Sequence, residues 1–382
     1  MNGLKLRVII GTLERGGTEI HLSQILPSLA EKGWLVELVV LSKKLALIKN
    51  FTHPNIKIHH PHFSFDSLSA FNKYCRLIYT VYFLYKILSK NSDMITHFFL
   101  PRAYIMGIIL SKLTRYRGPL LMSRRSLNHY QKRRPILKIE TKFHKYCQFI
   151  LSNSKAVQKQ LIEEESVSIE KTILIYNGVE EKRFLIGDKN SYRKELGFSS
   201  DQFIIVCVAN LIPYKGHIDL IRGLSQIKND LPYNWKALLI GRDSGIKSDL
   251  EIDIKKYNLE ENILLIENCD EPAPFLLSAD LGILASHEEG FSNAIIEMMA
   301  AGLPIIATNV GGNPEAIAHE KNGLLIRPCC PEDIAYSILR LSKDVKLRQQ
   351  FGEENYQTFS KNYTIGKCVE TYEEVYKKCY GL

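Results

Sequence analysis

Ala285-Ser-His-Glu-Glu-Gly-Phe-Ser-Asn-Ala-Ile-Ile-Glu-Met-Met-Ala-Ala-Gly-Leu-Pro304, followed by Ile305-Ile-Ala-Thr-Asn-Val-Gly-Gly-Asn-Pro314, is the stretch whose reading decides the fold. The apolar runs Leu281–Leu284 and Leu303–Thr308 read as buried parallel strands, so the segment between them is the helical crossover of a βαβ unit. The turn Glu289-Gly290-Phe291 then falls at the carboxyl end of a strand, where doubly wound sheets bind ligands. Asn293–Ala301 is apolar around nearly its whole circumference, which marks a helix buried on more than one side. Glu297 is its only charge. Burying a lone carboxylate costs several kcal/mol unless something hydrogen-bonds to it. No Lys or Arg lies within one helical turn, so a hydroxylated ligand such as a ribose is expected as its partner.

Ser292 and Asn293 are both good N-caps. The N–H groups of Phe291, Ser292 and Asn293, together with the positive end of the helix, are therefore expected to hold an anion, and a diphosphate suits the place. Glu297, in the second turn, leans back toward that anion. Glu289 stands on the strand side of the gap and is expected to face a sugar.

The pattern Glu289-x7-Glu297, with Gly290-Phe291 after the first Glu and Gly302-x-Pro304 after the second, resembles the retaining glycosyltransferases of family 4. The resemblance implies an α/β chain of GT-B architecture, two Rossmann-like doubly wound domains facing across a cleft. It implies an acceptor domain over residues 1–179, with a C-terminal helix at about 360–382 crossing back to it, and a nucleotide-sugar donor domain over 180–359. Length agrees, because 382 residues exceed one ordinary core and suggest about two.

Composition narrows the class. No run approaches the roughly 18 to 20 apolar residues of a membrane-spanning helix, and the amino terminus leads into a short strand-like run instead of a signal-peptide core. A cytoplasmic protein is expected, working at the inner face of the membrane if it is membrane-bound at all. The eight cysteines include no Cys-x-x-Cys pair, so neither disulfides nor zinc is indicated. His59-His60-x-His62 lacks carboxylate or thiolate company and reads as a solvated loop. Residues 1–180 carry 27 Lys and Arg against 12 Asp and Glu, a charge of +15, which leaves −6 for the remainder. Within Arg102–Lys145 there are 12 basic residues and one acid, Glu140, which points to a face for a membrane surface or an anionic acceptor.

Along the chain, Leu6–Ile10, Gly11–Gly17 and a helix from Thr18 form the strand, glycine loop and helix that open a Rossmann-like unit, without Gly-x-Gly-x-x-Gly spacing. The loop resembles the Gly-Gly-x-Glu opening of the same glycosyltransferases, with Gly16 and Gly17 letting donor and acceptor approach the backbone. A Tyr- and Phe-rich helix is expected over Ser69–Ser89, for packing and interface. His97, at a strand end, is a candidate for catalysis on the acceptor side, and Arg124 and Arg125 are candidates for binding the acceptor. Many relatives place a histidine where Arg125 stands. The strand Phe203–Ala209 opens the second domain, and its loop Asn210-Leu-Ile-Pro-Tyr-Lys-Gly216 puts Lys215 where the family's phosphate-binding lysine stands. The arginine that usually precedes that lysine is missing, with Asn210 and Ile212 in the candidate places; Asn210 is kept as a donor contact, and Arg15 or another residue of the basic half is the expected replacement. Asn268–Pro274 is expected to edge the base, and Gly311 and Gly312 either to approach the phosphates or to turn the chain.

The expected activity is transfer of a sugar from a nucleotide-diphosphate donor to a glycan or lipid-linked saccharide, with configuration retained. Glu289, Lys215 and His97 are the expected catalytic residues; the donor is a substrate and no cofactor or metal is expected. Bacterial cell-surface polysaccharide synthesis is the expected setting. The rival readings are a nucleotide-sugar epimerase on the same architecture and a nucleic-acid binder using the basic half; no recognition motif accompanies that charge, so no nucleic acid is expected.

Overall fold

The computed structural model describes residues 3–62, 70–90, 93–129, 131, 135–184, 188–232, 234–267 and 269–382. The chain divides into two units, one of residues 1–177 with 365–382, the other of residues 178–364. Runs of three to six residues rich in Val, Ile and Leu make the strands, and every strand pairing among the described residues is parallel, as expected where helices cover both faces of a sheet.

In the first unit the elements run β1 (Lys5–Ile10), α1 (Gly17–Glu31), β2 (Leu35–Val40), β3 (Ile56–His59), α2 (Ala70–Ser89), β4 (Ile95–Phe99), α3 (Pro101–Leu113) and β5 (Leu120–Arg124). A 3-10 segment, Pro135–Tyr146, leads to β6 (Phe149–Ser152), α4 (Lys155–Glu163) and β7 (Thr172–Leu174). The sheet order is β3-β2-β1-β4-β5-β6-β7. One face is closed by α1 and by the C-terminal helix Ile365–Cys379, whose Val369, Tyr372 and Tyr376 share a core with Leu22, Ile25 and Trp34. The other face is closed by α2 and α3 through Leu84, Leu88, Tyr104 and Ile108.

The second unit contains β8 (Ile204–Val208), α5 (His217–Ile227), β9 (Lys236–Ile240), β10 (Ile263–Ile266), β11 (Leu281–Leu284), α6 (Asn293–Ala300), β12 (Ile305–Thr308) and β13 (Gly323–Ile326). Its sheet order is β10-β9-β8-β11-β12-β13. The order reverses between β8 and β11, as it does between β1 and β4 in the first unit, and this switch point is where the loops after two strands diverge and leave a crevice.

One detail departs from the sequence reading. β3 went unrecognised, since Ile56-Lys-Ile-His59 is short and only half apolar, and it carries His59 into the sheet instead of a solvated loop. Ser69 and Asn268 lie outside the described residues.

Candidate functional site

The second unit's switch point gathers the loop after β8 and the loop after β11. Gly216 makes the meeting possible: at φ +70° it caps α5, and a Cβ there would lie 1.9 Å from the Ala285 carbonyl oxygen, so only glycine lets the two loops touch. Lys215 thereby reaches Glu289, its Nζ donating to Oε1 at 2.5 Å, and Ser286 Oγ donates to the same oxygen at 2.8 Å. Burial works against the lysine's charge, but Glu289 outweighs it and holds the ammonium above its ordinary pKa. From the other side, Gly311 at φ +51° packs where a Cβ would be 1.8 Å from the Glu289 carbonyl oxygen. Gly312 N–H donates to the Gly290 carbonyl at 2.9 Å. The glycine pair thus turns and clamps the chain, the second of the two roles considered for it, and the Gly312 amide is spent inside the protein.

α6 follows directly. Phe291 and Ser292 are buried, Phe291 against the Tyr363 ring at 5.5 Å, and Ser292 stands at the N-cap without a side-chain capping bond. Glu297 is 8% exposed, and burial pushes its carboxyl above the usual range. Here the sequence reading is corrected. A cation does reach Glu297: Arg183, 114 residues earlier in the 3-10 turn Glu181–Phe184, places Nη1 3.5 Å from its Oε1. The pairing is long because Arg183 is drawn to Glu271, at 2.6 Å. A ligand is therefore not required to neutralise Glu297, and the pair leaves most of its carboxylate unengaged by Arg183. Asn210 is occupied with structure, its Oδ1 accepting the Arg242 N–H at 3.3 Å and joining the β8 and β9 loops.

The acceptor-side residues, all in the first unit, fare differently. His97 is fully buried; Tyr376 Oη lies 2.8 Å from Nδ1 and Ser123 Oγ 2.9 Å from Nε2. Burial lowers its pKa to about 3, so it is neutral, and both ring nitrogens are engaged by protein. The strand-end placement expected for His97 is corrected: it sits inside β4, its ring held between Tyr376 and Ser123. Arg124 is likewise corrected: at 3% exposure it binds Glu165 at 2.7 Å and Glu140 at 2.9 Å. Burial alone would raise Glu165, yet His144 and Arg124 hold it at about 2. This network pins the 3-10 segment to the sheet and engages both terminal nitrogens of Arg124 with carboxylates. Arg125 is half-buried, donates to Asn177 at 2.8 Å and lies near Glu19, whose carboxyl is raised by burial. Gly16 caps α1 in an extended conformation, and the exposed Gly17 opens the helix.

Residues not anticipated are Arg183 and Ser286, and no local pattern announces them; Glu271, within the stretch expected to edge the base, pairs with Arg183. A carboxylate, an imidazole and a thiol also converge at Asp219, His287 and Cys329, with ligand atoms within 4.8 Å of one another; these could hold a soft divalent cation. His287 and Asp219 already pair at 2.6 Å.

Residues 188–358 match the model described as glycosyl transferases group 1, and residues 15–183 the model described as glycosyltransferase family 4. The chain is 30% identical over 224 residues to N-acetyl-alpha-D-glucosaminyl L-malate synthase of Bacillus anthracis, a match spanning 58% of each chain, so it covers little more than half of that relative. It is 26% identical over 354 residues to an N-acetylgalactosamine-N,N'-diacetylbacillosaminyl-diphospho-undecaprenol 4-alpha-N-acetylgalactosaminyltransferase of Campylobacter jejuni, covering 91% of this chain and 92% of the other. Among solved structures, that of Anabaena HepE in complex with UDP and glucose superposes with a TM-score of 0.84 at 19% identity, over 98% of this chain and all of that one. Likeness at that level shows the fold, the GT-B architecture expected from the sequence.

Proposed function

The chain belongs to the family 4 glycosyltransferases, and from that premise we propose that it moves a sugar from a nucleotide-diphosphate donor to a glycan or lipid-linked saccharide, retaining anomeric configuration and needing no metal. The observation that carries the reading is the Lys215–Glu289 pair at the switch point of the second unit, eight residues before a buried Glu297 on the helix that starts there.

Each part has a task. Lys215 offsets the charge that builds on the departing diphosphate, an effect realised mainly in the transition state, and the positive end of α6 adds to it. An ammonium carries three N–H donors, so Lys215 can keep Glu289 while meeting a phosphate. Glu297 accepts hydrogen bonds from the ribose hydroxyls. Glu289 grips sugar hydroxyls: with Lys215 and Ser286 both on Oε1 it is a weak nucleophile, which favours this role over the covalent route. In the step itself the bond from the anomeric carbon to the diphosphate oxygen breaks as the bond to the acceptor hydroxyl forms on the same face. The acceptor's proton passes to the departing phosphate oxygen. The cations supplied by the protein do the work a metal does elsewhere.

The acceptor side falls to the first unit, with Arg125 as the remaining candidate from the sequence. The Campylobacter relative, whose name describes a diphospho-undecaprenol acceptor, supports a lipid-linked saccharide, and the capsular polysaccharide glycosyltransferase of Staphylococcus aureus, 24% identical over 299 residues, supports a cell-surface glycan. UDP in the HepE structure makes uridine donors the first to try.

A thermal-shift series of UDP, GDP and ADP with their sugars tests the donor, because a ligand that binds only the folded form raises its apparent stability. One nucleotide series is expected to stabilise wild type and to act weakly on Glu297→Ala. Product linkage read by NMR should match the donor's anomer, with the rate unchanged by a chelator. Inversion of configuration, or no nucleotide binding at all, overturns the reading.

A further inference from the structure

The basic half of the chain holds one surface that the transfer reading leaves unused. On α2, Thr80, Leu84 and Leu88 face the core, while Tyr74, Ile78, Tyr82 and Tyr85 recur at helical spacing on another face, and Leu77 is exposed in the helix's amino-terminal half. These five are 69%, 68%, 52%, 43% and 52% exposed. Scattered exposed apolar residues are ordinary, but a stripe of large ones running about three turns, from Tyr74 to Tyr85, marks a contact surface. The stripe does not stand alone. α3 packs beside α2 and exposes Ile109 and Leu113; the 3-10 segment packs beside α3 and exposes Ile136 and Ile139.

Charge says what covers this layer. Glu140 is the one acidic residue in the three helical segments, and it is fully buried against Arg124, so nothing negative from them reaches the outside. Lysines do, lying over tyrosine rings: Lys86 is 4.7 Å from the Tyr82 centroid and Lys112 4.0 Å from that of Tyr146. Tyrosine bodies with polar tips, aliphatic side chains between them and lysines able to extend upward are the composition of a surface that lies in a lipid headgroup region. No helix among the described residues is long and apolar enough to cross a membrane.

We infer that the outer face of α2, extended by α3 and the 3-10 segment, docks on an anionic lipid bilayer, with Leu77 and Ile78 entering the boundary between headgroups and acyl chains. This deepens the proposed function by giving a lipid-linked acceptor a place to meet the protein, and it rests on that reading only for its purpose. Binding itself needs neither donor nor acceptor.

Flotation of the full chain with vesicles tests it. Vesicles containing phosphatidylglycerol are expected to carry wild type up the gradient, and pure phosphatidylcholine vesicles at least about tenfold less, as expected for a charge-dependent contact. Leu77→Ser with Ile78→Ser changes no charge and removes two exposed side chains, so its thermal stability should match wild type while partitioning falls at least about tenfold. Transfer to a water-soluble acceptor should be unchanged in that variant, which separates failure of this inference from failure of the transferase reading. Equal flotation of the double variant, or no binding of wild type to anionic vesicles, overturns the inference. So does a wild-type dimer in light scattering that the double variant dissociates, since the stripe would then cover a second copy of the chain.

Discussion

Lys215 and Glu289 are nearly buried together, 18% and 9% exposed at the side chain, and each supplies the other's counter-charge. Removing one member leaves the other desolvated and unpaired, which costs more than removing both. Lys215→Ala is expected to lose about 2–4 kcal/mol in denaturant unfolding, with Lys215→Ala/Glu289→Gln recovering part of it. Catalysis should behave otherwise: kcat falls about a hundredfold in the single variant and is not restored in the double. Recovery of both together would mean that the lysine acts only through Glu289. Glu297 gives a second test, through pH. Its pKa is raised by burial despite Arg183, so the folded state disfavours the ionised form. That penalty is absent below the ordinary carboxylate range and grows as pH rises through it. Glu297→Gln should therefore gain stability relative to wild type between about pH 4 and pH 7, while its donor KM rises. A constant stability difference across that range would show that the carboxyl is not penalised.

The elements explain which residues could be recognised in advance. Lys215, Glu289 and Glu297 stand out because each sits next to a strand end that is itself legible: an apolar run, then glycine or proline, then a helix. Their companionship follows from sheet order, since β8 and β11 are neighbours at the switch point. Arg183 and Arg124 were not legible, because their partners are 114, 41 and 16 residues away and no pattern in a local window encodes such pairs. Arg124 ends β5, whereas His97 lies inside β4, and in either place a polar side chain is as readily locked by neighbouring elements as offered to a ligand. The loop after β12 gives the prediction for this scale. Gly311→Ala must accept φ +51° and put a methyl group 1.8 Å from the Glu289 carbonyl, so the β11 and β12 loops must part. The left-handed backbone alone costs about 1–2 kcal/mol. Donor KM should rise at least about tenfold, with Gly245→Ala, at φ +107° and with open space around its Cβ, as the control for backbone strain. Equal effects of the two on KM would remove the close approach as the cause.

At the scale of the whole molecule, the chain returns to its first unit after completing its second, and the return is structural. The C-terminal helix puts Tyr372 and Tyr376 into the core of residues 1–177 at 1% and 0% exposure. Tyr372 Oη lies 3.1 Å from His21 Nε2 and Tyr376 Oη 2.8 Å from His97 Nδ1, so two buried histidines of the first unit, one in α1 and one in β4, each take a partner from the last helix. Both rings are pushed by burial well below the usual histidine range, His97 to about 3. Such groups stabilise the fold while neutral and withdraw that contribution as pH falls below about 6.5. Acid should thus weaken the first unit, and loss of the helix should sensitise it further. Tyr376→Ala removes a fully buried ring and one of the two bonds that keep His97 oriented, at a cost of about 3–5 kcal/mol. Because each unit has its own core, hydrogen exchange should lose protection in β1, β4 and α1 while β8 and β11 keep theirs, and the difference should widen from pH 7 to pH 5. A uniform loss across both sheets would show that the units unfold as one and that the final helix is not a private buttress of the first.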